Sequence, residues 1–408
     1  MTGTPSAGTA PDFVCLGESM VTFLPSRPGR LADVPSFARA IGGAESNVAC
    51  ALAAAGHRVK WVGRVGRDGF GHHLVETIGA YGVDVTAVGR DPHRPTGVYF
   101  RTATDRATET HEVVYYRAGS AASAMSPETV PYGSVADARI LHLTGITAAL
   151  SADCLALTRE LTAPRPGRPL VSFDVNHRPG LWRDGTAPDV LLALARRADL
   201  VFVGADEAEA LWGLRDPASI RAVLPEPAVL VVKRSGEGAV VFERCAASSP
   251  TPPLPEPGAP PPDPRASNSP YAWRPGGTPS AAEFPPAGRK PPGAPGPAPG
   301  PAPAPAPAPA SDTVTSVPAP RVDVVAPIGA GDAFAAGFLS ATLRGLDMTA
   351  RLRHGHLMAA AALTVPGDVA VPPRRAHADR LAALDAGAWE TLHLGPGWTG
   401  DDQEVRTP

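Results

Sequence analysis

Cysteine, lysine and aromatic residues are scarce in this chain, and it has no long apolar run. The four cysteines, Cys15, Cys50, Cys154 and Cys245, stand far apart with no Cys-x-x-Cys pair, which argues against a disulfide framework or a structural zinc site. Of 37 basic residues only three are lysines, and the 34 arginines are scattered among 40 acids for a net charge of −3. With no basic run, the sequence offers no nucleic-acid or membrane surface. No apolar stretch approaches the ~20 residues that span a bilayer. The first ten residues lack the basic, apolar and cleavage regions of a secretion signal. The expectation is a soluble, cytoplasmic protein with reduced thiols and with neither nucleic acid nor membrane as partner.

Proline, by contrast, is abundant and unevenly placed. The 75 residues from Ala246 to Pro320 hold 26 of the 49 prolines, with a strict Pro-Ala alternation from Pro301 to Ala310. Such a stretch has no apolar periodicity from which to build a core and reads as a solvated, extended segment. The chain as a whole is 43% hydrophobic, enough for one large core. The composition therefore predicts a single domain over residues 12–388, interrupted by a disordered insertion at 246–320, with flexible tails at 1–11 and 397–408.

Short apolar runs alternate with helical patterns along that domain. Residues 13–18, 59–65, 140–145, 170–174, 200–203 and 229–232 read as strands, and 48–55, 350–365 and 377–388 as helices. Uninterrupted apolar strands of this kind suit a buried parallel sheet, hence an α/β fold. Residues 96–102 and 111–117 flank a polar turn and read as a hairpin. Its period of two puts Tyr115 and Arg117 on one face and Val114 and Tyr116 on the other.

The stretch richest in chemistry is Ile328-Gly329-Ala330-Gly331-Asp332-Ala333-Phe334, between a strand pattern at Val322, Val324 and Val325 and a helix running to Arg344. Gly329 and Gly331 leave bare N–H groups at the positive end of a helix dipole, a place for phosphate oxygens. Asp332 is there either as an N-cap or as a general base beside an anion hole. Asn47, one turn into the helix after Gly42-Gly43, offers both donor and acceptor to a hydroxylated ligand. Tyr115 and Arg117 are equipped to hold a carboxylate or several hydroxyls. Arg178, just past the carboxyl end of a strand, can bridge a substrate and a transferring phosphoryl group. The glycine turn Lys233 to Gly238 can cup an adenine or its phosphates. Glu18 closes the first strand, where open α/β sheets bind ligands, or is a solvated loop acid. Glu207, in the first turn of a helix, complements its dipole.

Together these stretches resemble the signatures of the ribokinase-like (PfkB) carbohydrate kinases. A Gly-Gly pair followed four residues later by Asn stands at Gly43 and Asn47. The Asp-x-Asn-x-Arg-x-x-Leu-Trp pattern runs from Asp174 to Trp182, and the GAGD turn is Gly329 to Asp332. The resemblance implies a three-layer α/β/α domain with a small β lid, made from the hairpin and the segment near 21–38. It implies ATP as phosphoryl donor with Mg²⁺, and Asp332 as catalytic base beside the amides of Gly329, Ala330 and Gly331. It places the sugar near Gly43 and Asn47, Asn176 and Arg178 between sugar and nucleotide, and Lys233, Ser235, Gly236 and Gly238 at the nucleotide. Glu207 would order the metal through water. Three residues depart from the family pattern: Gly204 for Asn, Ala326 for Asp, and Ser235 for Gly, with the turn expected to shift onto Gly236.

Residues 94–99 and 115–121, with Gly367-Asp368, are similar to the 2-keto-3-deoxygluconate kinases within that family. This implies phosphorylation of a hydroxymethyl group on that sugar acid, held by Tyr99, Tyr115, Arg117 and Asp368. A fructokinase or another sugar or nucleoside kinase of the family is the alternative, and a non-catalytic sugar sensor on the same fold is a third reading. Relatives that pair their lids imply a homodimer, for which Val114 and Tyr116 supply an apolar pair.

Overall fold

The computed structural model describes residues 10–27, 29–102, 112–244 and 312–400. Along these residues run β1 (Phe13–Leu16), β2 (Met20–Pro25), β3 (Phe37–Gly42), β4 (Val59–Val62), β5 (Arg64–Gly66), β6 (Gly89–Asp91), β7 (Val98–Arg101) and β8 (Val113–Tyr116). They are followed by β9 (Ile140–Thr144), β10 (Leu170–Asp174), β11 (Leu200–Gly204), β12 (Val229–Lys233), β13 (Ala239–Arg244), β14 (Asp312–Val317), β15 (Arg321–Val322) and β16 (His393–Leu394). The central sheet has the order β14-β13-β12-β11-β10-β9-β1-β4. Every pairing from β12 to β4 is parallel, and β13 and β14 complete one edge antiparallel.

Helices cover both faces, which is why the strands are apolar without alternation. On one face α1 (Ala44–Ala54) and α2 (Gly69–Ala80) pack against Phe13, Cys15, Trp61 and Phe202. On the other, α3 (Gly145–Ala148), α4 (Ala152–Leu161), α5 (Ala187–Ala195), α6 (Ala205–Trp212) and α7 (Pro217–Val223) bury Val14, Leu16, Leu141 and Val203. The last helices, α8 (Ala330–Leu343), α9 (Met348–Leu363), α10 (Arg375–Ala382) and α11 (Ala386–Thr391), return to the first face. The expected three layers are present. So is the lid, a separate four-stranded sheet of order β3-β2-β7-β8. The turn of its hairpin, residues 103–111, lies outside the described residues.

Several expected boundaries move. Residues 312–317, assigned by composition to the proline-rich insertion, form β14, because Thr313, Val314, Thr315 and Val317 are β-branched and pair with β13 across six positions. The rest of the expected insertion, residues 246–311, lies outside the described residues. The strand expected at 59–65 is broken at Gly63, where a Cβ would fall 2.8 Å from the Gly17 carbonyl oxygen. Val324 and Val325 are exposed and lie outside the strand, whose ladder with β16 ends at Val322, and the Val325 N–H donates instead to the Leu363 carbonyl at 2.7 Å. The domain also runs past 388. Trp398, placed in the C-terminal tail by sequence, is 3% exposed and packs into the first core, where its indole removes a large apolar area from water. Cys15, Cys50 and Cys154 are buried and free, and Cys245 lies outside the described residues. Among the described residues no helix is long and apolar enough to cross a membrane.

The ends of the β13–β14 connection are adjacent, because Arg244 faces Asp312 in the antiparallel register. Arg221 fixes that end, donating to both Asp312 oxygens at 2.8 Å and to the carbonyls of Leu224 and Pro227. Replacing residues 245–311 with a two-residue Asn-Gly hairpin turn is therefore expected to leave the melting temperature within about 4 °C, or roughly 1–2 kcal/mol. Thermal unfolding followed by circular dichroism tests this, and loss of a cooperative transition contradicts it.

Candidate active site

The carboxyl ends of β1, β9, β10, β11 and β12 open on one cleft of about 1590 Å³. That exceeds the ~300–1,000 Å³ usual for a single small ligand and leaves room for two. Every ligand-site candidate read from the sequence lines this cleft, although they span positions 18 to 368.

At its centre is the N-terminus of α8. Gly329 has φ 75°, and a Cβ there would lie 2.3 Å from the carbonyl oxygen of Asp368, so only glycine fits. The helix starts at Ala330 with Gly329 as its N-cap, which puts Asp332 at its third position. The N-cap reading is thereby corrected. Instead Asp332 Oδ2 accepts from Asn47 Nδ2 at 2.9 Å. Burial in the cleft pushes its carboxyl up to about 7, against the lowering effect of the Asn47 hydrogen bond, and the nearby charge of Asp174 adds to the rise. A carboxyl poised near neutrality beside bare amides is suited to take a proton. Asn47 Oδ1 is buried with no partner among the described residues, which leaves it to accept from a ligand hydroxyl.

The lid closes one side. Tyr99 faces Tyr115 across β7 and β8, with ring centroids 5.4 Å apart. Tyr99 Oη donates to Asp368 Oδ2 at 2.7 Å, and Arg101 Nη2 donates to Oδ1 at 3.0 Å. The Asp368 side chain is 4% exposed, so both its oxygens are committed to the lid. Burial raises its carboxyl while Arg101 and Tyr99 oppose that rise. Arg117, on the same face as Tyr115, is paired with Glu18, whose Oε1 also accepts from Ser120 Oγ at 2.8 Å. Glu18 is 2% exposed and is no solvated loop acid. Neither Arg101 nor Ser120 was singled out in the sequence. Arg101 sits two residues beyond Tyr99, on the same face of a strand, and that spacing was the available signal.

On the opposite side, Lys233 at the end of β12 donates to Asp174 Oδ2 at 2.7 Å. Burial lowers its ammonium pKa, and Asp174 and Glu207 more than offset this, holding it above its ordinary value. Glu207 Oε2 accepts from the Gly204 N–H at 2.7 Å and Oε1 from the His177 N–H at 3.0 Å, with Arg178 Nη1 3.9 Å away. Burial raises the Glu207 carboxyl. Asn176 is held at φ 39° and Ser235 at φ 50°, conformations that side chains rarely adopt. The left-handed residue of the nucleotide turn is thus Ser235 itself, and the expected shift onto Gly236 does not occur. The second left-handed position is Gly238, where a Cβ would meet the Val317 carbonyl oxygen at 2.2 Å. Outside the cleft, Asp68 caps α2 through the Gly71 N–H at 2.7 Å and accepts from the Thr96 N–H and hydroxyl at 2.8 Å.

Comparison with known proteins bears on the family and the fold. A family model described as pfkB family carbohydrate kinase matches residues 10–257 and 307–375. The 2-dehydro-3-deoxygluconokinase of Bacillus subtilis (strain 168) is 30% identical over 391 residues, covering 95% of this chain and 98% of its own. That of Thermoproteus tenax is 36% identical over 241 residues, covering 56% and 71%. The crystal structure of a PfkB protein from Polaromonas sp. JS666 superposes with a TM-score of 0.66 at 28% identity, covering 92% of this chain and all of that one.

Proposed function

The chain belongs to the pfkB family of carbohydrate kinases, and from that premise we propose that it transfers the γ-phosphoryl group of ATP to a hydroxymethyl group of 2-keto-3-deoxygluconate or a close sugar acid. The observation that carries this reading is the half-buried Asp332 at the α8 N-terminus, sharing one cleft with the Tyr99–Tyr115–Arg117 face of the lid.

The sugar lies between Asn47 and the lid, where the unpartnered Asn47 Oδ1 takes a hydroxyl and Arg117 takes the carboxylate. Glu18 holds Arg117 in place before the acid arrives. Asp332 accepts the proton of the attacking hydroxyl, and the N–H groups at 329–331 meet the charge that develops on the phosphoryl oxygens. Arg178, half-exposed at the mouth of the same side, reaches both substrates. Among the described residues no group of three or more His, Cys, Asp or Glu could hold a metal alone. That suits Mg²⁺, which binds mainly through substrate phosphates and water with one or two carboxylates beside it. Glu207 would hold one of its waters, and when bound the ion would draw negative charge off the phosphates.

The same reading includes a homodimer built on the lid. β8 is an edge strand, Tyr116 on it is 64% exposed, and Val114 shares that face away from Arg117. Multi-angle light scattering at micromolar concentration should give twice the chain mass, and a monomer would remove this part of the proposal.

Steady-state kinetics on 2-keto-3-deoxygluconate and fructose test the substrate. The parent protein is expected to prefer the acid, and Arg117→Ala to raise KM for it at least ~10-fold more than for fructose, because a buried carboxylate loses its charged partner. Equal effects on both sugars, or better turnover of fructose, would replace the sugar acid by a neutral ketose.

A further inference from the structure

Lys233 is one of three lysines in a chain with 34 arginines, and it stands where the phosphates of a nucleotide would end. Its side chain is 19% exposed, and it reaches from the end of β12 over the glycine that ends β11 to Asp174, itself 2% exposed, at the end of β10. The same ammonium lies 3.6 Å from where a Cβ on Gly331 would be, so it flanks the first turn of α8 and its bare N–H groups. Arg178, a second cation of this cleft, is 50% exposed and lies near Glu207. The acids Asp174, Glu207 and Asp332 line the same cleft, and an incoming triphosphate adds more negative charge. A compact ammonium on a flexible stem can stay on Asp174 while turning a second N–H toward a phosphoryl oxygen, an arrangement that a guanidinium fork reproduces only in part.

We propose that Lys233 is a catalytic cation of the phosphoryl transfer, contacting the γ-phosphoryl oxygens, and that Asp174 is the positioning residue that holds it against the amides of α8. This rests on the kinase reading and goes beyond nucleotide binding by assigning the charge in the transition state. As the sugar oxygen bonds to the γ-phosphorus, its proton passes to Asp332. The bond from that phosphorus to the β–γ bridging oxygen breaks, and ADP leaves with the electron pair. Lys233 exchanges no proton. It neutralises charge on the oxygens of the group in flight, where a fixed donor is worth most. Asp174 restrains the stem, so the ammonium need not reorganise as the charge develops.

Steady-state kinetics and thermal melts of four proteins test this: the parent, Lys233→Met, Lys233→Arg and Lys233→Met combined with Asp174→Asn. Lys233→Met is expected to lose about 10²–10³ in kcat with KM for the sugar within threefold of the parent. Lys233→Arg is expected to recover at least tenfold over Lys233→Met. The double variant removes both buried charges, so it should melt close to the parent while keeping the low kcat of Lys233→Met, which a purely structural role for Lys233 does not predict. A kcat of Lys233→Met within threefold of the parent overturns the proposal, as does recovery of kcat together with melting temperature in the double variant. If the parent turns over no sugar with ATP, the kinase reading fails instead, which is a distinct result.

Discussion

The close approach of Gly329 to the Asp368 carbonyl is the constraint on which the rest of the site depends. The chain can pass there only in a left-handed conformation and only without a side chain. That passage starts α8 at Ala330, turns its unpaired N–H groups into the cleft, and brings Asp332 to Asn47 of α1. The segment pressed against the glycine is itself pinned by the lid, since the Asp368 carboxylate is held by Tyr99 and Arg101 of β7. One contact therefore links the lid sheet, which would cover a bound sugar, to the turn that would receive the phosphoryl group.

The charges around this turn are arranged at some cost to the fold. Asp332 gives up hydration and gains one hydrogen bond, so its carboxyl rises to about 7 where an ordinary one sits near 3.8. Ionising it above neutrality works against folding, because the folded state holds that proton more tightly than the unfolded chain does. Asn176 and Ser235 add left-handed backbone at the same cleft, and strain of this kind persists where surrounding structure enforces it. The two large hydrophobic cores that flank the sheet supply the stability that makes these local costs tolerable.

Much of this was legible in the sequence, for physical reasons that differ by feature. The parallel sheet announced itself through strands apolar on both faces, as in Leu200 to Val203, because helices cover both sides. The α8 turn was legible because its geometry demands glycine and its chemistry demands a carboxylate within four residues. What stayed hidden were partners far apart in sequence: Glu18 on Arg117, Arg101 on Asp368, and Lys233 on Asp174. No local period encodes such pairs, and the strand order that joins them is a tertiary fact. The reach of β14 was concealed by the prolines at 318 and 320, which coloured the composition of a strand they only follow. Ser235 was misread because a missing glycine suggested a moved turn, whereas the sheet geometry of β12 and β13 keeps the left-handed position and the serine bears it.

The central claim is that Asp332 works as a base held near neutrality. It is tested most directly by the pH dependence of kcat/KM for the sugar, from pH 5.5 to 9, with saturating ATP and Mg²⁺. The base acts in its ionised form, so the parent rate should rise tenfold per pH unit below an inflection near 7 and level off above it. Asp332→Asn should lose about 10²–10⁴ in kcat and show no such inflection. A flat parent profile across that range, or the same inflection surviving in Asp332→Asn, would contradict the account.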